Sequence, residues 1–221
     1  MRYRRLGRTG LQVSEIGFGA EWMGKPQEEV DAFVRACEET GINLMDVWMA
    51  DPAMRSKLGH AMAERGTRDQ WIIQGHIGST WQDGQYVRTR DMEKVRPAFE
   101  DLLARLETDH VELGMIHYVD DVDEFRGIME GPFIEYVRHL HAAGTIEHVE
   151  MCIRDRSLPA ALVKLVAKYA DAPDDLHRAG IEYASAQLVD LKAHGARGLH
   201  VYTMNQPDIA RANVAALKAA R

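Results

Sequence analysis

The chain has 221 residues, enough for one sizeable domain, and its 46% hydrophobic and 28% charged content is ordinary for a globular protein. A net charge of -7 with no basic run argues against a nucleic-acid surface. Two cysteines, Cys37 and Cys152, are too few for a disulfide framework or a zinc ribbon. No apolar run approaches a membrane span, and Met1–Gly7 lacks the apolar core of a signal peptide, so a cytoplasmic setting is expected.

Short apolar runs alternate with longer helical patterns. Glu15–Ala20 (EIGFGA) reads as a short strand ending in glycines. Glu28–Glu39 carries Val30, Phe33, Val34 and Cys37 at helical spacing, and Gly41 stops it. Asn43–Trp48 is a second strand, Arg55–Arg65 a second helix and Trp71–Gly78 a third strand. Asp91–Leu106 is a helix with Val95, Phe99, Leu102, Leu103 and Leu106 on one stripe. Val111–Val119 is the fourth strand, Phe133–Ala143 the next helix, stopped by Gly144, and Thr145–Glu150 opens a fifth strand. Helices Leu158–Tyr169 and Asp174–His194 follow, the second broken near Ala179-Gly180, then strand Gly198–Met204 and helix Pro207–Ala220. This βα repetition predicts an α/β protein, an incomplete TIM-type barrel with about six parallel strands, where a closed one has eight.

The stretch Glu150–Arg156 (EMCIRDR) stands apart. It can be back-translated to contain AGATGTGTATAAGAGACAG, the mosaic end of a transposon used to prepare sequencing libraries. Residues 150–156 therefore read as an artefactual junction between two unrelated segments, 1–149 and 157–221.

The flanking segments resemble different families. Tyr3-Arg4-Arg5-Leu6-Gly7-Arg8-Thr9-Gly10-Leu11-Gln12-Val13-Ser14 resembles the N-terminal hairpin of the aldo/keto reductases, and Ile16-Gly17-Phe18-Gly19 their first strand. Gly41–Asp46, Leu58-Gly59, Leu106–Asp109 with Val111–His117, and Gly144–Val149 match further family segments in order and spacing. Residues 1–149 are thus similar to the first half of such a barrel. The segment 157–221 resembles the C-terminal end of methylenetetrahydrofolate reductase, through Ala179-Gly180-Ile181-Glu182-Tyr183-Ala184, Gln187 and Gly198–Asn205.

The first resemblance implies an NADPH-dependent oxidoreductase acting on a small-molecule carbonyl. The family protonates the developing alkoxide with a tyrosine tuned by a lysine–aspartate pair, and a histidine orients the carbonyl. By position the aspartate is Asp46 and the histidine His117. The tyrosine position falls on Asp51 and the lysine position on His76, so two of the four catalytic positions depart from the pattern. A carboxylate at Asp51 would repel an anionic transition state unless protonated. His76 could donate a proton beside His117. Tyr86 and Tyr118 are alternative phenols, and spacing favours neither. On the cofactor side only Gly19 and Asp46 carry over, because most nicotinamide contacts in the family come from the second half of the barrel.

Two further readings compete. Asp46, His76 and His117 end three successive predicted strands and form a plausible metal-ligand set. The reading that takes precedence over the metal set is that they are polar barrel-mouth side chains that satisfy one another, in a catalytically silent fragment. In the tail, Tyr183, Gln187 and Tyr202 are similar to flavin or folate contacts but lack the other strands of that barrel, and His200 and Tyr202 read as barrel filling. Open sheet edges would favour self-association.

Overall fold

The computed structural model describes all residues except 23, 154–158, 197–198, 200, 202, 204–205 and 221. The chain forms two compact units, residues 1–155 and 156–221.

The first unit opens with strands β1 (Tyr3–Arg5) and β2 (Gln12–Ser14), an antiparallel hairpin with Tyr3 opposite Ser14. Asn43 pins it: its Oδ1 accepts from the Ser14 N–H at 2.7 Å, and its own N–H donates to Ser14 Oγ at 3.1 Å. Next come β3 (Phe18–Gly19), α1 (Gln27–Thr40) and β4 (Leu44–Val47). Helix α1 buries Val30, Val34 and Cys37 on one stripe and ends at Gly41, whose φ of 78° suits a residue without Cβ. Helix α2 (Pro52–Arg65) begins earlier than its apolar pattern suggests. Pro52 sits in its first turn and Asp51 caps it, accepting from the Ala53 N–H at 2.8 Å.

Strand β5 (Ile72–Ile77) leads directly into a hairpin of β6 (Ser79–Gln82) and β7 (Gln85–Arg88). Helix α3 (Met92–Arg105), strand β8 (Val111–Val119), helices α4 (Val122–Glu130) and α5 (Pro132–Ala142), and strand β9 (Ile146–Ile153) complete the unit. Glu150, Met151, Cys152 and Ile153, the start of the suspected junction, continue β9, and Met151 pairs with Ile116. Residues 154–156 of the junction lie outside the described residues.

Strands β3, β4, β5, β8 and β9 form one parallel sheet in that order, so each neighbour in space is the next parallel strand in sequence. Among the described residues the sheet does not close into a barrel. Its two faces differ. Met45, Ile73, Ile77 and Ile116 join Val30, Leu58, Phe99 and Val137 in the main core beneath the helices. On the other pleat face Ile72 and Leu113 pack with Val13, Leu6, Leu11 and Leu44. Along β4 and β5 that second face continues to Asp46 and to His76, because side chains alternate with a period of two. Apolar residues therefore fill its lower end and polar ones its upper end.

The second unit contains α6 (Ala160–Lys168), α7 (Pro173–Ala193) and α8 (Pro207–Ala219). Ser185 Oγ donates to Asn213 Oδ1 at 2.9 Å, and Lys192 Nζ to the Leu217 carbonyl at 2.9 Å, which ties α7 to α8. The expected break near Ala179-Gly180 is absent: α7 runs through, since an internal glycine costs only about 1 kcal/mol. The expected strand Gly198–Met204 falls largely outside the described residues, so the described parallel sheet has five strands where about six are expected. No helix among the described residues is long and apolar enough to cross a membrane.

Candidate active site

Asp46, His76 and His117 lie on three adjacent parallel strands, β4, β5 and β8. The register places Asp46 beside Gln74 and His76 beside Met115, so the three side chains step diagonally across the sheet. All are buried, with exposures of 7%, 3% and 0%. They form a line. His76 Nε2 lies 3.0 Å from Asp46 Oδ1, and His76 Nδ1 lies 2.7 Å from His117 Nδ1. His117 Nε2 then lies 2.6 Å from the Tyr86 hydroxyl. Four residues from four strands are thus joined end to end.

The protons in this line are not independent. With Asp46 a carboxylate, His76 donates from Nε2, and a neutral His76 then accepts at Nδ1. His117 must donate from its own Nδ1 and accept at Nε2, so the Tyr86 hydroxyl donates to His117. Burial, reinforced by His76, Arg90 and Arg88, pushes the His117 pKa down from 6.5 to about 2. His117 is a neutral ring at ordinary pH.

An aromatic cage holds that ring. Trp48 stacks on it at 5.8 Å and 12°, Tyr118 lies over it at 4.2 Å, and Tyr86 meets it edge-on at 5.7 Å. Tyr118 has a φ of 42°, in the left-handed region that costs a bulky residue free energy. Arginines from the hairpin end enforce it. Arg90 donates to the carbonyls of His117 and Tyr118, both at 2.6 Å, and Arg88 donates to that of Tyr118 at 3.1 Å. Arg88 also pairs with Asp120, and Arg90 with Glu124 at 3.1 Å. This clamp fixes β7, and hence Tyr86, over the end of β8.

Tyr86 is half-buried and lines an open cleft of roughly 550 Å³, together with Glu21, Met49, Asp51 and Trp81. Glu21 was not singled out by the sequence. Burial raises its pKa, a hydrogen bond from Trp48 opposes the rise, and Asp46 adds to it. Asp51, at the expected tyrosine position, is not in the line. Its side chain caps α2, accepting from the N–H groups of Ala53 and Met54, and it reaches the cleft only as a wall.

Gly19 pairs with Asp46 across β3 and β4, but a Cβ there would meet no atom within 4 Å, so Gly19 forms no close cradle. The Asp46 carboxylate is committed to His76. These two residues do not fit a dinucleotide by themselves. Nor do the ligand candidates converge: the donors run in series, both His76 nitrogens are engaged, and no group of three potential metal ligands gathers among the described residues.

No family model matches the chain. A search of curated proteins finds the aldo-keto reductase YhdN of Bacillus subtilis, 27% identical over 157 residues, covering 67% of this chain and 46% of that one. A solved structure of a Pseudomonas aeruginosa protein named for the aldo-keto reductases is 31% identical, with a TM-score of 0.57, over 67% of this chain and 59% of that one. Relatives and solved neighbours both support the aldo-keto reductase family. A further Pseudomonas aeruginosa structure with an aldo-keto reductase name covers 99% of this chain and 94% of its own at a TM-score of 0.63. At 24% identity that likeness concerns the fold. The chain spans less than half the length of the curated relatives it matches, 46% of YhdN and 38% of the protein tas of Escherichia coli.

Proposed function

We propose that residues 1–149 descend from an NADPH-dependent aldo-keto reductase acting on small carbonyl compounds, and that the 221-residue chain alone turns over no carbonyl. The observation that carries the descent is the contact of His76 with Asp46 at 3.0 Å. His76 occupies the lysine position and makes the pairing to aspartate that the lysine makes in the family. The second part rests on the cofactor side. NADPH would supply hydride, yet Gly19 and Asp46 make no cradle for it.

The test is a fluorescence titration of the purified chain with NADPH, followed by NADPH consumption with a panel of aldehydes and ketones. Binding no tighter than roughly millimolar, about -4 kcal/mol, and no consumption are expected. Micromolar binding with turnover overturns the silence and keeps the descent. Micromolar binding with no response to any carbonyl overturns the substrate class.

The same reading assigns residues 157–221 to a different parent, a methylenetetrahydrofolate reductase-type barrel, joined through residues 150–156. Sequencing of DNA prepared without transposon tagmentation tests it. Continuous reads through codons 150–156 would remove the chimeric origin. A metal-binding barrel using Asp46, His76 and His117 is the weaker alternative, because its donors lie in series.

A further inference from the structure

We infer that Tyr86 is the proton-transfer group of this site, standing at the cleft end of a Tyr86–His117–His76–Asp46 relay whose direction reverses on the gain or loss of one proton. The inference deepens the proposed descent from a carbonyl reductase and rests on it only for the oxyanion the relay would serve; it concerns proton transfer and requires no turnover by this chain alone. Tyr86 is the member of the line that lines the cleft, whereas the other three are at most 7% exposed. Exchange between the line and a molecule in the cleft would therefore pass through Tyr86.

The line has two self-consistent forms. In the first, every donor points inward: Tyr86 Oη to His117 Nε2, His117 Nδ1 to His76 Nδ1, and His76 Nε2 to Asp46. The Tyr86 oxygen, its own proton directed to His117, is then the acceptor of the line. In the second, His76 carries one more proton and is an imidazolium paired with Asp46. Its Nδ1 donates to His117 Nδ1, His117 donates from Nε2 to Tyr86, and the Tyr86 hydroxyl points outward. Delivery to an oxyanion in the cleft breaks the Tyr86 O–H bond and forms the substrate O–H bond. The His117 Nε2 proton moves to Tyr86, and the His76 Nδ1 proton moves to His117. The substrate gains one proton and His76 loses one, which balances the step. His117 only changes tautomer, which suits a ring that stays neutral well below physiological pH.

The hairpin supports this assignment. Arg88 and Arg90 hold Tyr86 against His117 through the carbonyls of residues 117 and 118. Among the described residues Asp51 accepts the cap hydrogen bonds of α2 and is not a member of the line. A purely structural Tyr86–His117 bond would predict the same distance but no communication with Asp46, two rings away.

Nitrogen NMR of the histidine-labelled full chain separates the two. At neutral pH His117 is expected as the Nδ1–H tautomer and His76 as the Nε2–H tautomer. Tyr86→Phe should remove the hydrogen-bonded shift of His117 Nε2. Asp46→Asn should abolish the single tautomer at His117, because the carboxamide no longer fixes the direction. If Asp46→Asn fails to fold, 3-fluorotyrosine at position 86 keeps the shape, acidifies the phenol and should move the His117 Nε2 shift. An Nε2–H tautomer of His117 in the unmodified chain at neutral pH, a His117 tautomer unchanged in a folded Asp46→Asn chain, or nitrogen shifts indifferent to both changes at residue 86 would overturn the relay. These signals are read without NADPH, so the turnover assay, whichever way it falls, bears on the proposed function and leaves the relay to be decided by the nitrogen shifts.

Discussion

At the residue scale, two buried polar groups, His117 and Glu112, have consequences that can be measured. His117 is fully buried and its pKa falls to about 2, against 6.5 for an ordinary imidazole. Above pH 6.5 both folded and unfolded chains hold it neutral, and it contributes no pH dependence. Below 6.5 the unfolded chain takes a proton that the folded one refuses, so stability falls steadily toward pH 2. From pH 7 to pH 5 the loss from this group alone should be about 2 kcal/mol, at 1.36 kcal/mol per unit. Urea midpoints at the two pH values measure it, and His117→Gln should flatten that part of the profile. The groups facing His117 that enter the same balance are His76, Arg88, Arg90 and Asp120. Glu112 is the second such group. It is 8% exposed, accepts from Arg68 at 3.0 and 3.3 Å, and accepts from the Ile73 N–H at 2.7 Å. Arg68→Ala would take the guanidinium from a buried carboxylate that keeps the Ile73 N–H and His110 at 3.5 Å, and should cost about 3 kcal/mol in a denaturation experiment. Arg68→Lys, which keeps the charge but loses the fork, should cost less.

At the element scale, the hairpin β6–β7 decides whether Tyr86 reaches His117. Its turn is Asp83-Gly84, with φ of 50° and 79°, the pair of positive values that a two-residue hairpin turn requires. Nothing lies within 4 Å of a Cβ placed on Gly84, so Gly84→Ala costs backbone strain alone, about 1 kcal/mol. The expected signature is a loosened hairpin with weakened Tyr86–His117 coupling and an unchanged main core. Gly59→Ala is the opposite case. Its Cβ would sit 2.0 Å from the Arg105 carbonyl oxygen and 2.9 Å from Leu106 Cα, at the crossing of α2 and α3. Those helices must separate, and a loss at the upper end of about 1–3 kcal/mol is expected in thermal or urea unfolding. These elements also show what was legible in the sequence. The Gly41 stop of α1 and the apolar run of β8 are local signals that match the folded elements closely, and the α1 stripe holds for Val30, Val34 and Cys37 but not for Phe33, which is 46% exposed. The Asp-Gly turn was equally local but lay between polar residues, where a period-two pattern is weak. Asp46 and His117 were legible through resemblance. The partnership of Tyr86 with His117 was not, because it joins residues 31 apart through tertiary packing.

At the scale of the whole molecule, the chain divides where the suspected junction lies, into units of residues 1–155 and 156–221. All four relay residues, both arginines of the clamp and the main core belong to the first unit. The parallel sheet of that unit ends at the two-residue β3 on one side and at the eight-residue β9 on the other. A long terminal strand offers backbone donors and acceptors to another chain, and closure of a barrel is the device that removes such edges. Two outcomes follow from this arrangement. A chain ended after Ile153 should keep the histidine nitrogen pattern of the full chain, since no member of the relay is lost. It should also sediment as a concentration-dependent mixture, because β9 lies at the end of the sheet with Val149 already 39% exposed. Loss of the pattern on truncation would show that residues 156–221 are required for the first unit to fold, and would weigh against their separate origin. A strictly monomeric truncated chain with the pattern intact would show that β9 is protected within the first unit itself, and would place the source of its stability in the helices that cover the sheet.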